Sequence, residues 1–258
     1  MKLDILLTPG ELLPGDIAER TVVVIDVLRA SSTIVEALGA GARTLYPVAS
    51  VEEALRLANT LGREEVLLCG ERKALPIDGF DLGNSPREFT AGKVAGKTLV
   101  MSTTNGTVAL TAAAAAKRVV IGSFLNLSAV VADLARPKVE PVLVCAGREG
   151  KFGLEDAVCA GRIAAAVMAR RKRERWELND GAHAAVALGE QFADLEALLA
   201  KTAAGRQIVE AGLEEDLPFC ARADLHDIVP VFHDRQVTLA TPPAAAAPEP
   251  AEAEPVET

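Results

Sequence analysis

The run Val24-Ile25-Asp26-Val27-Leu28-Arg29-Ala30-Ser31-Ser32-Thr33 sets a carboxylate at the tip of an apolar segment, then a guanidinium and three hydroxyls. A carboxylate so placed can take a hard cation. Hydroxyls that open a helix stand beside free N–H groups and a positive end, both suited to phosphate. The same residues also serve plain architecture: Ser31 or Ser32 can cap the helix, and Asp26 can pair with Arg29. Ser102-Thr103-Thr104-Asn105-Gly106-Thr107 repeats the theme and can equally be a simple turn and cap. Arg148 to Asp156 puts Glu155 and Asp156 side by side at a helix start, where the dipole favours acids whatever their role. Gly70-Glu71-Arg72 leads through a long polar stretch to Gly79-Phe80-Asp81-Leu82-Gly83-Asn84-Ser85-Pro86, the kind of loop on which sites are built.

Together these loops offer five candidate carboxylates (Asp26, Glu71, Asp81, Glu155, Asp156) and three arginines (Arg29, Arg72, Arg148) beside two hydroxyl-rich helix starts. That combination equips metal-assisted phosphoryl transfer, if one rim collects it. Other chemistries fail on spacing. There is no GxxxxGK[ST] and no GxGxxG after a strand. Leu28 stands where a second aspartate two residues after Asp26 would be needed for a haloacid-dehalogenase phosphatase. No cysteine is followed five residues later by the arginine of a tyrosine-phosphatase loop. His183, His226 and His233 are scattered and do not have zinc-site spacing.

The elements that must position these loops recur as a unit: a β-branched apolar run, a short polar loop, then an Ala-rich helical stretch. Thr21–Ile25, Thr98–Met101 and Pro141–Cys145 read as strands, and the helices follow from about residues 34, 108 and 154, the last running to Arg171. Thr44–Val48, Glu65–Cys69 and Arg118–Ile121 read as further strands. Ser50 with Glu53 marks the start of a helix reaching Leu61. Continuous rather than alternating apolar strands predict a sheet covered on both faces, mostly parallel or mixed, in a three-layer α/β/α fold. Ligands in such folds bind beyond the carboxyl ends of the strands. Val66–Arg72 echoes Val142–Arg148, which either marks two similar halves or is chance likeness between buried strands.

With 258 residues, half of them apolar, the chain suits one large domain, set here at residues 1–238. Residues 239–258, rich in Pro, Ala and Glu, have little to bury and read as a disordered tail. A net charge of −9 and 3% aromatics argue against a nucleic-acid partner. Arg170-Arg171-Lys172-Arg173 reads as the cationic end of a helix rather than an anion site. No apolar run is long enough to span a membrane, no secretory signal opens the chain, and Cys69, Cys145, Cys159 and Cys220 lie far apart. These features predict a cytoplasmic protein with reduced thiols, in which Cys69 and Cys145 act as small buried hydrophobes. A homodimer is the expectation for an enzyme of this size.

In the order and content of these motifs the chain resembles the 2-phosphosulfolactate phosphatase family. The resemblance extends to Cys145-Ala146-Gly147, Cys159-Ala160-Gly161, Asp216-Leu217-Pro218-Phe219-Cys220 and Val229-Pro230-Val231, and covers about residues 3 to 234. It implies a magnesium-dependent phosphatase that releases 3-sulfolactate and phosphate from a small anionic organic phosphate, a step toward coenzyme M in methanogens. On that reading Asp26, Arg29, Glu71, Arg72 and Glu155 are the expected catalytic residues. Mg2+ is expected on Asp26 with Glu71, Asp81, Glu155 or Asp156. Ser31, Ser32, Thr33, Asn84, Ser85, Thr103, Thr104, Asn105, Gly106 and Arg148 are expected to hold substrate oxyanions. Either a water on the metal or Asp26 itself could attack phosphorus. A binding protein that uses the same loops without turnover is the alternative, as is a phosphatase of another phosphorylated hydroxy acid.

Overall fold

The computed structural model of the chain describes residues 1–239. Eleven strands form one mixed sheet. In chain order they are β1 (Lys2–Leu6), β2 (Thr21–Ile25), β3 (Thr44–Pro47), β4 (Val66–Arg72), β5 (Leu75–Pro76), β6 (Thr98–Ser102), β7 (Arg118–Gly122), β8 (Pro141–Cys145), β9 (Glu177–Leu178), β10 (Pro230–His233) and β11 (Gln236–Leu239). Across the sheet they lie in the order β5-β4-β6-β3-β11-β10-β7-β2-β8-β1-β9.

Both faces are covered, as the unbroken apolar strands predict. Val23 and Ile25 of β2 join Leu143, Val158 and Ile163 in a core on one side. Val22 and Val24 join Ile34, Leu38, Leu99 and Leu110 in a core on the other. The first core lies under the Leu154–Arg170 helix, the second under the Ala30–Gly39 and Gly106–Ala113 helices. Small aliphatic side chains let these helices sit close to the sheet. The Val51–Leu61 helix starts as expected, with Ser50 Oγ accepting from the Glu53 N–H at 3.2 Å. The Leu154–Arg170 helix stops in the cationic run, where Arg171 donates to the Val139 carbonyl and stacks on Trp176. All four cysteines are buried and unpaired, and burial pushes the Cys69 and Cys145 thiols up.

Two sets of parallel strands make the sheet, β4-β6-β3 and β7-β2-β8-β1-β9, joined by the β10–β11 hairpin. The pairings β7–β10, β10–β11 and β11–β3 are all antiparallel, so the two sets run in opposite senses. One common set of carboxyl ends, the simplest expectation for a parallel sheet, is therefore not what forms. Five pairings separate β2 from β6, and a twist of roughly 20–25° at each turns the opposed sets toward one another. The tips of both sets thus reach a common cavity.

The eight strands from β4 to β8 across the sheet read as a palindrome in which β4 matches β8, β6 matches β2, β3 matches β7 and β11 matches β10. Each match also keeps chain order: β2-helix-β3-helix-β4 in the first half corresponds to β6-helix-β7-helix-β8 in the second. The sequence echo falls on β4 and β8, at matching positions, in agreement with two similar halves. The halves are interlocked. β2 lies between β7 and β8 of the second half, and β6 lies between β3 and β4 of the first.

Leu239, where the tail was expected to begin, ends β11. The remainder of that expectation, residues 240–258, lies outside the described residues. No helix among the described residues is long and apolar enough to cross a membrane.

Candidate active site

The loops after β2, β4, β6 and β8, which the repeat makes equivalent in two pairs (β2 with β6, β4 with β8), meet around a cavity of about 310 Å³. Asp26, Leu28 and Arg29 come from the first, Glu71 to Ala74 from the second, Thr103 to Asn105 from the third and Gly147 to Glu149 from the fourth. Asn84 lines it too, and Ala204, Gln207 and Ile208 of the Ala203–Glu210 helix close one side.

Asp26 lies on the cavity wall, and its backbone is locked. Its N–H donates to Ser31 Oγ at 2.9 Å, its carbonyl accepts from the Ser31 N–H at 2.8 Å, and its Oδ1 accepts from the Ala30 N–H at 3.2 Å. The Leu28–Arg29 peptide bond in the same loop is cis. Oδ2 accepts no hydrogen bond among the described residues and faces Gly106, where a Cβ would come within 3.0 Å of it and 2.5 Å of the Ala30 Cβ. Glycine at 106 therefore lets the second helix start press against the Asp26 loop.

The hydroxyls expected to bind phosphate on this loop serve its architecture instead. Ser31 Oγ turns to the Val24 carbonyl, Ser32 Oγ donates to the Val27 carbonyl at 2.8 Å, and Thr33 Oγ1 donates to the Asn84 carbonyl at 2.9 Å. None of the three lines the cavity. The physical reason is the tight turn between β2 and its helix, whose backbone groups would otherwise be buried without partners.

Glu71, buried at the end of β4, accepts from the Thr104 N–H through Oε1 and from the Ala74 N–H through Oε2, each at 2.9 Å. It therefore fixes both the β4 and β6 loops. Arg72 reaches back to the Ser102 hydroxyl (2.8 Å) and carbonyl. Thr103 Oγ1 caps the next helix by accepting from the Thr107 N–H. Asn105 Oδ1 accepts from the Glu149 N–H at 2.9 Å and so joins the β6 and β8 loops. Arg148, the repeat counterpart of Arg72, lines the cavity, and its guanidinium donates to no group among the described residues.

Asp156 lies beneath these loops, nearly inaccessible to solvent. Its Oδ1 accepts from the Val27 N–H at 2.8 Å and its Oδ2 from the Gly147 N–H at 2.9 Å, tying the β2 and β8 loops together. Glu155 is buried beside Thr202 and Arg148 and does not line the cavity. Burial pushes the Asp156 carboxyl well up, and Glu155 and Asp26 push it further. Burial also raises Glu155, against the opposing pull of its own helix N–H, Thr202 and Arg148. Asp26 is raised to about 7, first by burial and then by the charges of Glu71 and Glu155, with the Ala30 N–H and Arg29 opposing. An aggregate of buried acids of this kind is a site where a cation or a proton is wanted.

Arg29 donates to Asp216 Oδ2 and to the Ala74 carbonyl, each at 2.7 Å, and Ser85 Oγ donates to Asp216 Oδ1 at 2.5 Å. Ser85 thus anchors Asp216 and does not line the cavity. The Asn84 Oδ1 lies buried at the cavity without a partner among the described residues. A buried amide oxygen in that state calls for a ligand. Asp81 is elsewhere: it pairs with Arg63 at 2.9 Å and accepts from the Leu68 N–H, outside the cavity lining, so it is not a metal ligand together with Asp26. It braces the loop over β4. Asp216, Lys73 and the Ala204–Gln207–Ile208 wall were not among the expected site residues. Only the Asp216-Leu217-Pro218-Phe219-Cys220 motif gave any signal of them.

Among the described residues no three His, Cys, Asp or Glu side chains converge as a ready-made metal cage. Magnesium, however, commonly takes one or two carboxylates and fills its shell with phosphate oxygens and water. Asp26, with its uncommitted Oδ2, and Glu71 fit that sparser pattern.

The family model described as 2-phosphosulpholactate phosphatase matches residues 6–235. The chain is 37% identical over 237 residues to a probable 2-phosphosulfolactate phosphatase of Clostridium acetobutylicum, covering 92% of this chain and 100% of that one. Proteins of the same name from Symbiobacterium thermophilum and Thermotoga maritima are 44% and 45% identical. They cover 87% and 83% of this chain, and 96% and 89% of their own lengths. A cavity rimmed by acids, arginines and helix starts, and matches over nearly the whole described chain, place this protein in the 2-phosphosulfolactate phosphatase family, as a phosphoric monoester hydrolase.

Proposed function

We propose that the chain hydrolyses 2-phosphosulfolactate to 3-sulfolactate and phosphate, with Mg2+ as cofactor and in the cytoplasm, within sulfolactate or coenzyme M-type metabolism. The observation that carries the reading is Asp26: a buried carboxylate with one oxygen uncommitted, at a cavity that also presents the guanidinium of Arg148, both without a partner there among the described residues. The names of the relatives supply the substrate, and the charge pattern is suited to it, since the substrate bears a phosphate, a carboxylate and a sulfonate.

Asp26 and Glu71 would hold Mg2+, whose charge offsets that of the phosphoryl oxygens. Glu71 also keeps the Thr104 and Ala74 backbones in place, so the cavity is shaped before substrate arrives. Arg148 forks onto carboxylate or sulfonate, and the Asn84 amide, turned so that its NH2 group faces the cavity, donates to a substrate oxygen. Arg29, held on Asp216, places a positive charge beside Asp26 that opposes the upward push of burial and of its acidic neighbours. Attack on phosphorus comes from water or from Asp26 itself.

A phosphate-release assay over a panel of phosphorylated hydroxy acids, with and without EDTA, tests substrate and cofactor together. Turnover of 2-phosphosulfolactate no faster than that of the rest of the panel would refute the substrate assignment. Single-turnover hydrolysis of an ester chiral at phosphorus in oxygen-18 water distinguishes the two nucleophiles: retention, or label in the Asp26 carboxylate, indicates an aspartyl-phosphate, and inversion at phosphorus indicates direct attack by water.

A further inference from the structure

Lys73 follows the catalytic-loop pair Glu71-Arg72 and lines the same cavity. Its backbone has φ 54°, and Ala74 after it has φ 68°, a left-handed conformation that side-chain-bearing residues adopt at a cost. The groups that impose it belong to the site. Glu71 Oε2 accepts from the Ala74 N–H at 2.9 Å, and Arg29 donates to the Ala74 carbonyl at 2.7 Å. The two peptides that flank Ala74 are therefore each held by a residue of the site, and the lysine before them is carried on a fixed Cα rather than on a loose loop tip.

The cavity's other cations are unequally available. Arg29 is spent on Asp216 and Ala74, and Arg72 on Ser102 and the Glu71 carbonyl. Arg148 and Lys73 lie on the β8 and β4 loops, which the internal repeat makes equivalent, and neither side chain forms an ion pair or hydrogen bond among the described residues. Two unpaired cations on matching loops of one cavity suit a ligand with more than one anionic group. A simple phosphate ester would not need both.

We propose that Lys73 is a specificity-determining residue: its ammonium binds an anionic group of the substrate other than the phosphoryl being transferred, so that it selects phosphate esters of acids over esters of uncharged alcohols. This rests on the phosphatase reading above but not on which acid is the natural substrate.

The test measures kcat/KM of the full chain for phosphate monoesters bearing none, one or two further anionic groups, in the wild type and in Lys73→Met, Lys73→Gly and Lys73→Arg. The expected result is that Lys73→Met lowers the preference for the doubly anionic over the uncharged ester by about tenfold to a hundredfold, mainly through KM. Lys73→Gly, which relieves the backbone, should lose the same preference, and Lys73→Arg should restore most of it. An unchanged preference ratio in Lys73→Met, or a wild type indifferent to the added charges, overturns the proposal. A wild type that favours charged esters but turns over 2-phosphosulfolactate no faster than the others would refute only the substrate assignment. If no ester is turned over, calorimetry with inorganic phosphate and with 3-sulfolactate gives the same comparison. Equal loss or equal retention of the two in Lys73→Met counts against the proposal.

Discussion

Arg29 and Asp216 form an ion pair 2.7 Å long in which both side chains are almost wholly removed from water, so the loop after the second strand is tied to a short helix nearly two hundred residues later. A buried pair of this kind costs desolvation to form and costs more to break.

Asp216→Ala is expected to destabilise the fold by about 3–5 kcal/mol, because it leaves the Arg29 guanidinium buried without its partner. Asp216→Asn keeps the shape and one acceptor and should lose less stability, yet still lower kcat by misplacing Arg29. Ser85→Ala, which removes one bond to Asp216, should be milder in both respects. Urea denaturation paired with steady-state kinetics separates the two effects.

Asp26→Asn should abolish turnover while the chain stays folded. In metal-free protein the raised Asp26 carboxyl also sets a sign for stability against pH. Between its ordinary value of 3.8 and about 7 the folded chain holds a proton that the unfolded chain has released. Stability is therefore highest below that window and falls as pH rises through it. The advantage of Asp26→Asn over wild type should grow by about 2 kcal/mol between pH 5 and 7, measured as unfolding midpoints in urea. A constant difference would show that Asp26 is already ionised at pH 5.

Titration with Mg2+ should release protons near neutral pH and raise the thermal midpoint of wild type but not of Asp26→Asn. EDTA should remove the activity, and added Mg2+ should restore it. Asp81→Asn, whose side chain serves Arg63 and the Leu68 N–H outside the cavity, is expected to keep its metal response and to change kcat/KM by no more than about twofold.

Asp156→Ala would strand the buried N–H groups of Val27 and Gly147, at about 1–3 kcal/mol each. Its loss of activity should accompany a loss of stability. Asp26→Asn, by contrast, should lose activity alone. Gly106→Ala should be equally damaging, since its Cβ would occupy the space of the Ala30 methyl and Asp26 Oδ2. Circular dichroism melts alongside the kinetic assay check both.

Thr21–Ile25 and Pro141–Cys145 were legible to the residue, because buried parallel strands are short, continuous and β-branched. The four loops, and Asp26, Glu71 and Arg148 upon them, were legible for a related reason: polar residues directly after an apolar run have few places to go. Which hydroxyl faces solvent was not. Ser31, Ser32 and Thr33 look from the sequence like Thr103 and Thr104, and only the path of the turn decides that the first three face inward onto carbonyls. Glu155 and Asp156 share that ambiguity, since a helix start shows where acids belong but not which layer they occupy. Asp216 and the Ala204–Ile208 wall were hidden because their partners lie far away in the sequence. The opposed senses of the two parallel sets depend on a C-terminal hairpin of eight strand residues that carries no chemical signature.

The interleaving of β2 with β7 and β8, and of β6 with β3 and β4, has a consequence for how the molecule is made. On the ribosome β2 emerges early but cannot be flanked until residues 118–145 have also left the exit tunnel, so the nascent chain must wait, partly uncovered, for its second half. Neither half severed from the other would retain a complete set of neighbours, whereas two separately produced fragments could find in each other what each lacks. Domain opening is likewise closed to this enzyme as a way to admit substrate, since no cut through the sheet separates the halves without unzipping a central strand.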